Sequence, residues 1–305
     1  MVCIGAFLDF ASPRSRPPCL VACRAFHYDA PAQLREKYLS GYVHMVEALP
    51  PGKADLLILP ESPTPVLFQR DPQCRTVFEG LAQRYTFGLI FNNIRVEEAA
   101  EGFRYYNSAF LLDHQGNMSG SYDKMHLVPF GEYIPLRDTF TFIQTITKDV
   151  GEFHRGTEYK LLSVGEHEMS VSICFEAIFS DLVRKFVRDG SGLIVNLTND
   201  GWYGSSSAPF QHFNIARWRA IENRRYFLRS ANTGISAVVS PSGRVKTATG
   251  ILSQAVCEGH FGFVTQQTFY TRYGDLFIFL CAIIVFGCTV FLYAIGFSRY
   301  RLHKR

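Results

Sequence analysis

The chain has 305 residues, 47% of them hydrophobic, and a formal net charge of +4. Four basic residues within the last seven account for that charge, so the rest of the chain is neutral overall and nucleic-acid binding is not indicated. The eight cysteines lack metal-ligand spacing, which argues against zinc and leaves a disulfide open. The sequence has no phosphate loop or dinucleotide fingerprint, so no cofactor is predicted.

The N-terminal part is the hardest to interpret. The apolar run within residues 1–11 is too short to span a bilayer and lacks the basic start of a signal peptide, so residues 1–19 are left unassigned. A first strand is predicted over residues 20–26. Apolar residues at helical spacing predict a helix over residues 32–49, which the Pro-Pro-Gly sequence at 50–52 ends.

Helices and apolar strands alternate through the middle of the chain, which predicts an α/β layered domain. The turn at residues 114–117 makes the strand before it part of an antiparallel pair or meander. The predicted strands are 56–59, 87–92, 106–113, 170–173, 192–197, 227–231 and 236–240. The predicted helices are 76–85, 175–186 and 210–225.

The last predicted element, residues 276–297, is 22 residues long and carries no charge. That length suits a helix that crosses a bilayer, whereas a buried helix of a soluble core is the less favoured alternative. Asp275 precedes the helix and a basic tail, 298–305, follows it. The positive-inside rule then places the tail in the cytoplasm and the body of the protein on the outer side of the membrane.

Cys174 stands where a predicted strand turns into a predicted helix. Free backbone N–H groups and the helix dipole stabilise a thiolate at such a corner, and later an oxyanion, which makes Cys174 a candidate nucleophile. A buried structural cysteine is the alternative. The unbroken apolar run at residues 56–59 predicts a strand buried on both faces. Glu61 follows this strand, where a charge is costly unless it has a partner or a task. Lys124 and Glu132 lie in a loop rich in Pro and Gly.

Glu61, Lys124 and Cys174 follow one another in an order that resembles the nitrilase, or carbon–nitrogen hydrolase, superfamily. The segment KMHLVPFGEYIP at 124–135 resembles a signature of the bacterial apolipoprotein N-acyltransferases within it. Further similar motifs follow in the same order: Cys174-Phe175-Glu176, NDGWYG at 199–204 with Gln211-His212, and RSANTGIS at 229–236. The resemblance covers roughly residues 54–290.

The resemblance implies an αββα sandwich over residues 20–270, with the site at the strand ends, followed by the transmembrane helix 276–297. It implies an N-acyltransferase of the bacterial inner membrane with its catalytic domain on the periplasmic side. The acyl donor would be a phospholipid, and the acceptor would be the N-terminal amine of the diacylglyceryl-cysteine of an apolipoprotein. The acyl chain would pass through a thioester on Cys174.

The resemblance also implies the roles of individual residues. Glu61 would take the thiol proton of Cys174, and Lys124 with the N–H of Phe175 would stabilise the oxyanion. Glu132 and Glu176 would support these groups, although bracing a loop is an equal alternative. Four aromatic residues are predicted to line a water-excluding acyl pocket, with core packing as the alternative: Phe130, Tyr133, Trp202 and Tyr203.

Other polar residues of the motifs receive less specific predictions. His126 and His212 are alternative bases, although a structural role is favoured for both. Asn199, Asp200 and Asn232 are expected to brace loops. Members of the resembled family carry several transmembrane helices before the catalytic domain, and this sequence shows none. The expectation is either a truncated or mis-started chain or a separate multi-helix membrane subunit.

Two other functions compete with acyl transfer to lipoproteins. One is an amidase or nitrilase that uses the same three residues and is tethered by one helix. The other is an inactive remnant, which should have lost one of the three residues, whereas Glu61, Lys124 and Cys174 are all present.

Overall fold

The computed structural model describes residues 18–23, 34–47, 54–133 and 153–302. Within these ranges, two six-stranded sheets and six α-helices form the fold. The strands are β1 Pro18–Cys23, β2 Leu56–Ile58, β3 Gly88–Ala99, β4 Gly102–Leu112, β5 Met118–Asp123, β6 Leu162–Val164, β7 His167–Ile173, β8 Leu193–Asn199, β9 Tyr226–Asn232, β10 Ala237–Val239, β11 Val245–Ala248 and β12 Ala255–His260. The helices are α1 Leu34–Glu47, α2 Pro72–Tyr85, α3 Ser180–Arg188, α4 Ala208–Asn223, α5 Phe269–Tyr273 and α6 Leu276–Leu302.

Both sheets have a parallel centre and antiparallel flanks. In the first sheet the order is β12-β1-β2-β3-β4-β5, with β1, β2 and β3 parallel and the others antiparallel. In the second the order is β11-β10-β9-β8-β7-β6, with β7, β8 and β9 parallel. The β3-β4-β5 meander confirms the antiparallel pairing predicted from the turn at 114–117.

The sheets pack face to face, and the alternation of side chains along β2 shows why. Leu56 and Ile58 lie in the core between the two sheets, whereas Leu57 and Leu59 lie in the outer core beneath α1 and α2. All four are fully buried, which confirms the prediction of a strand buried on both faces. Full burial of each such side chain contributes about 1.5–3 kcal/mol to the stability of the fold.

The outer face of the second sheet is covered in the same way. Val183 and Val187 of α3 and Phe213 and Ala216 of α4 pack against it in a third core. The order of layers is therefore helices, sheet, sheet, helices, and the αββα sandwich is confirmed.

Several element boundaries differ from the predictions. α2 begins at Pro72 rather than at residue 76, because the Asp71 carboxylate accepts a hydrogen bond from the N–H of Cys74 at 2.8 Å and caps the helix. β3 and β4 extend well beyond their apolar parts as one long ladder, from Leu89 paired with Leu112 to Ala99 paired with Gly102. The outer parts of the first two predicted elements, residues 24–26, 32–33 and 48–49, lie outside the described residues.

The helix predicted over residues 175–186 is interrupted. A short 3-10 helix, Cys174–Ile178, comes first, and α3 begins only at Ser180. Cys174 has a φ of 53°, in the left-handed region that costs a residue with a Cβ about 1–3 kcal/mol. The chain therefore turns sharply at Cys174, and this turn separates the end of β7 from α3.

α6 confirms the helix predicted from residue 276 onward and extends to Leu302. Its segment 276–293 has a mean hydropathy of 2.7, and none of that segment is buried against the rest of the protein. It is the one helix in the described part of the chain with the length and composition to cross a membrane.

Candidate active site

The carboxyl ends of strands from both sheets meet at one place. Glu61 follows β2, Lys124 follows β5, and Cys174 follows β7. The N–H of Glu61 donates to the carbonyl oxygen of Thr198 at 3.4 Å, so the end of β2 is joined to the end of β8 across the sandwich. The structure thus brings together the three residues that the sequence singled out.

Glu61 is 7% exposed and its carboxylate is held on both oxygens. Oε1 accepts a hydrogen bond from Asn107 Nδ2 at 3.0 Å, and Oε2 accepts one from the backbone N–H of Asn199 at 2.9 Å. Burial raises the pKa of Glu61 above its ordinary value, against the opposing effect of the Lys124 charge. A carboxylate with a raised pKa is a stronger base than an exposed one.

Lys124 is 1% exposed and lies between two carboxylates. Its Nζ is 2.9 Å from Glu132 Oε1 and 3.8 Å from Glu61 Oε1. Burial alone would lower the pKa of Lys124, but the charges of Glu61 and Glu132 raise it above its ordinary value. The ammonium is therefore charged, and a fixed positive charge in a buried site stabilises developing negative charge strongly.

Asn107 is a site residue that the sequence analysis missed. Its Nδ2 donates to Glu61 at 3.0 Å and to Glu132 at 2.6 Å, and its Oδ1 accepts from Asn92 Nδ2 at 2.6 Å. Its backbone carbonyl accepts the N–H of Lys124 at 2.9 Å. Asn107 thus orients both carboxylates and Lys124 at once. Its signal in the sequence is a lone amide in the largely apolar predicted strand 106–113.

The Cys174 side chain lies in the same pocket, 9% exposed. Burial and the Glu61 charge raise the pKa of its thiol to about 12, against the lowering effects of Lys124 and Thr198. The expectation from the sequence was a thiolate stabilised by the helix N-terminus. A thiol pKa raised in this way favours the protonated form at neutral pH, because the thiolate would be buried beside the Glu61 carboxylate. A base is therefore needed to make the thiolate.

Glu176 is fully buried and braces the site. Its Oε1 accepts from the hydroxyl of Tyr122 at 2.8 Å and from the N–H groups of Met125 at 2.7 Å and His126 at 3.0 Å. Its Oε2 accepts from the N–H of Ile173 at 2.8 Å. The segment after Lys124 and the segment before the cysteine are thereby fixed to one side chain.

Glu176→Gln is expected to lower the free energy of unfolding by about 1–3 kcal/mol. Both carboxylate oxygens of Glu176 accept hydrogen bonds, so the NH₂ group of glutamine would face at least one N–H or O–H donor and leave it without an acceptor. Urea denaturation of the full chain measures this. Glu168→Gln is the matched control. The Glu168 carboxylate accepts one exposed hydrogen bond from Ser163 at 2.8 Å, so little change in the free energy of unfolding is expected. Equal midpoints for Glu176→Gln and the unmodified chain would contradict the bracing role.

A second buried network lies beside the cysteine turn. Asp200 Oδ1 is 2.9 Å from His212 Nδ1, and Asp200 Oδ2 accepts from Arg229 Nη2 at 2.9 Å. Burial would raise the pKa of Asp200, but Arg229 and His212 lower it, so the carboxylate is charged. Burial and Arg229 lower the pKa of His212. These contacts support the loop-bracing role predicted for Asp200 and a structural role for His212.

The remaining polar residues of the motifs also make contacts within or between loops. Asn199 Oδ1 accepts from the N–H of Gly201 at 2.9 Å, and the backbone carbonyl of Asn232 accepts from the N–H of Asp200 at 3.0 Å. The ring of His126 packs on Phe179 at 4.6 Å between centroids.

The four residues predicted to line an acyl pocket differ in position. Tyr203 is half-buried, and burial and the neighbouring Cys174 raise its pKa, so it lies at the site. Trp202 and Phe130 are 78% and 63% exposed, at the surface rather than in a closed pocket. The ring of Tyr133 lies 5.1 Å from the Arg155 guanidinium. Phe175, next to the cysteine, packs on Phe179 at 5.2 Å.

Within the described ranges, three or more His, Cys, Asp or Glu side chains do not gather in a group that could hold a metal ion. The site itself combines a buried thiol, a buried ammonium and buried carboxylates. This set suits transfer of an acyl group through sulfur.

Comparison with known proteins identifies the family of the chain. A family model described as carbon-nitrogen hydrolase matches residues 20–259. The chain belongs to the carbon-nitrogen hydrolase family. The family resemblance seen in the sequence is thereby confirmed.

Within the carbon-nitrogen hydrolases, the chain is similar to proteins named apolipoprotein N-acyltransferase. The protein from Geobacter metallireducens is 39% identical over 254 residues, which is 83% of this chain and 48% of that protein. The one from Rhodopseudomonas palustris is 36% identical over 278 residues, 88% of this chain and 51% of that protein. The chain therefore spans about half the length of these relatives.

Solved structures of the carbon-nitrogen hydrolase fold are also similar. A mutant amidase from Nesterenkonia sp. AN1, with an acetamide moiety attached covalently at its active-site cysteine, aligns with a TM-score of 0.62 at 18% identity over 88% of this chain and 97% of that one. The butyramide complex of another mutant of that amidase aligns with a TM-score of 0.60 at 19% identity, over 82% of this chain and 92% of that one. At this identity the likeness establishes the fold.

Proposed function

We propose that this chain is the acyl-transferring part of an apolipoprotein N-acyltransferase. The observation that carries the proposal is a buried thiol beside a buried carboxylate and a buried ammonium, Cys174 with Glu61 and Lys124. Lipid and lipoprotein are the proposed substrates because the similar proteins from Geobacter and Rhodopseudomonas are named for that reaction.

The first half of the reaction forms the acyl-enzyme. Glu61 takes the proton of the Cys174 thiol, and the sulfur attacks the ester carbonyl carbon of a phospholipid. The oxyanion that forms is stabilised by Lys124 and by the backbone N–H of Phe175. When the carbon–oxygen bond breaks, the leaving alkoxide takes the proton from Glu61, and a lysophospholipid departs.

The second half discharges the thioester. The α-amine of the diacylglyceryl-cysteine of an apolipoprotein attacks the thioester carbonyl, and Glu61 takes a proton from the attacking nitrogen. The carbon–sulfur bond then breaks, and the Cys174 sulfur regains the proton from Glu61. Lys124 stabilises both tetrahedral intermediates, while Glu132 and Glu176 hold Lys124 and the cysteine turn in place.

The proposed location is the bacterial cell membrane. α6 would cross it, and the basic residues that follow 297 would lie in the cytoplasm, which leaves the site on the periplasmic side.

The test is to incubate the full chain in phospholipid vesicles with a phospholipid labelled in its acyl chain and to isolate the protein under denaturing conditions. We expect a hydroxylamine-sensitive labelled adduct that is absent from Cys174→Ala and that a diacylglyceryl-cysteine peptide discharges. The matched control is Cys281→Ala with Cys288→Ala, which removes two exposed thiols of α6 and should leave the adduct unchanged.

The other outcomes separate the competing functions. Release of ammonia from small amides with no lipid adduct would identify a tethered amidase. The absence of both a lipid adduct and ammonia release would identify an inactive chain. An adduct that survives in Cys174→Ala but not in the α6 double variant would place acylation on the wrong sulfur atoms.

A further inference from the structure

The outward face of α4 is apolar. Its inner face packs on the second sheet, but three large side chains point away from the core: Phe210, Ile215 and Trp218 are 48%, 44% and 55% exposed. The two exposed residues between them, Gln211 and Asn214, are uncharged. Scattered exposed apolar residues are ordinary, but three along one face of one helix form a stripe.

The segments on either side of α4 also carry exposed aromatic side chains. Trp202, in the turn that precedes the helix, is 78% exposed. At the other end, Phe269 and Tyr273 of α5 are 58% and 56% exposed. The α4–α5 apolar face is defined here by its six exposed side chains: Trp202, Phe210, Ile215, Trp218, Phe269 and Tyr273.

Hydrogen bonds fix α5 to the end of α4. Thr268 Oγ1 donates to the carbonyl oxygen of Glu222 at 2.7 Å, and Thr271 Oγ1 donates to Asn223 Oδ1 at 3.0 Å. Arg184 of α3 donates to the carbonyl oxygen of Thr271 at 3.2 Å. α5 is therefore part of the folded body rather than a loose linker.

The start of α6 lies close to this anchored position. Only Gly274 and Asp275 separate Tyr273 from Leu276, and three residue steps limit the distance between them to about 10 Å. If α6 crosses a bilayer, α5 and the end of α4 that is bonded to it lie close to the lipid boundary. A surface so close to the bilayer that carries exposed aromatic rings has the chemistry of an interfacial segment, since Trp and Tyr prefer the headgroup region.

We propose that the α4–α5 apolar face lies on the lipid bilayer, with its aromatic rings at the boundary between headgroups and acyl chains. The exposed Arg272 on α5 is placed to meet anionic headgroups. Trp202 belongs to the loop that begins with Asn199 and Asp200, so this contact also brings the candidate active site to the lipid surface. Trp202 then lies against lipid, which explains its exposure.

The composition of the chain provides the probe. Trp202 and Trp218 are its two tryptophans, and both belong to the α4–α5 apolar face. Trp202→Phe and Trp218→Phe each leave one fluorophore. The full-length variants are reconstituted in vesicles of phosphatidylethanolamine and phosphatidylglycerol with brominated acyl chains. We expect strong quenching of Trp218 by bromine, a blue-shifted emission, and weak quenching by aqueous iodide.

A matched control places the fluorophore on the other sheet. Phe103 of β4 is 49% exposed, similar to Trp218, and Phe103→Trp in the tryptophan-free chain should be quenched by iodide and not by brominated lipid. Quenching of Trp218 by iodide alone would overturn the proposal. So would shielding of Trp218 from both quenchers that disappears on dilution of the protein in lipid, since this would identify a second copy as the occupant. Acyl-enzyme formation is measured on the same vesicles, so membrane contact and activity are separate readouts.

Discussion

Lys124→Met is expected to eliminate acyl-enzyme formation and to lower the free energy of unfolding by about 3–5 kcal/mol. Methionine fits the buried space but carries no charge. Glu61 and Glu132 both accept from Asn107 Nδ2, at 3.0 and 2.6 Å, so the two carboxylates are close neighbours. Without the ammonium they repel each other in a buried site, and one of them must take up a proton. Urea denaturation and the labelled-lipid assay measure the two effects.

Two further variants separate stability from chemistry. Lys124→Met with Glu132→Gln removes the repulsion and should regain part of the lost stability without any activity. Lys185→Met removes a lysine that is paired with Asp181 at 2.7 Å on the surface, and should change the free energy of unfolding by less than about 1 kcal/mol. Recovery of the acyl-enzyme in the first of these variants would refute the role of Lys124 in stabilising the oxyanion.

Glu61→Gln is expected to slow acyl-enzyme formation by roughly 10²–10⁴-fold near neutral pH, the usual contribution of a general base. The carboxylate form of Glu61 is the base, so the rate in the unmodified chain falls as the pH falls below the pKa of Glu61. Burial raises that pKa, which moves this decline to higher pH than for an exposed glutamate. In the variant the inflection at the pKa of Glu61 is lost, and the rate rises steadily with pH toward the thiol pKa, which is lower than in the unmodified chain because the Glu61 charge no longer raises it.

Single-turnover rates of thioester formation as a function of pH test this expectation. Glu132→Gln is the control, because it also changes a carboxylate that contacts Lys124 but leaves the partner of the thiol in place. It should retain the decline at acid pH. A Glu61→Gln profile that keeps the decline of the unmodified chain would show that another group takes the thiol proton.

The parts of the fold that the sequence predicted are those where local pattern and burial agree. Leu56–Ile58 is an unbroken apolar run, and it forms a strand buried on both faces. Cys174 was located at the end of a strand because the apolar pattern changes there. α6 was predictable because its length and its lack of charged residues can be read from the sequence without knowing which residues it contacts.

What the sequence did not predict depends on contacts between distant residues. Asn107 is one amide on β4, and only the folding of the first sheet brings it between Glu61, which follows β2, and Glu132, which lies in the segment after β5. The raised pKa of Cys174 likewise reflects burial by both sheets, which no local pattern encodes. The local sequence around Glu176 does not indicate that four donors converge on its carboxylate, because Tyr122 and Met125 lie some fifty residues away in the chain.

At the candidate active site, a hydrogen bond joins two parts of the chain that are far apart in sequence. The N–H of Asn199 donates to Glu61 over a separation of 138 residues. Neither sheet alone contains both partners, so a half-formed molecule has no competent pocket. Contacts of such long range form slowly, because the loop-closure entropy must be overcome first. A nascent chain that has formed only β1–β5 therefore remains inactive, and reactivity appears only when β6–β11 have formed the second sheet and docked.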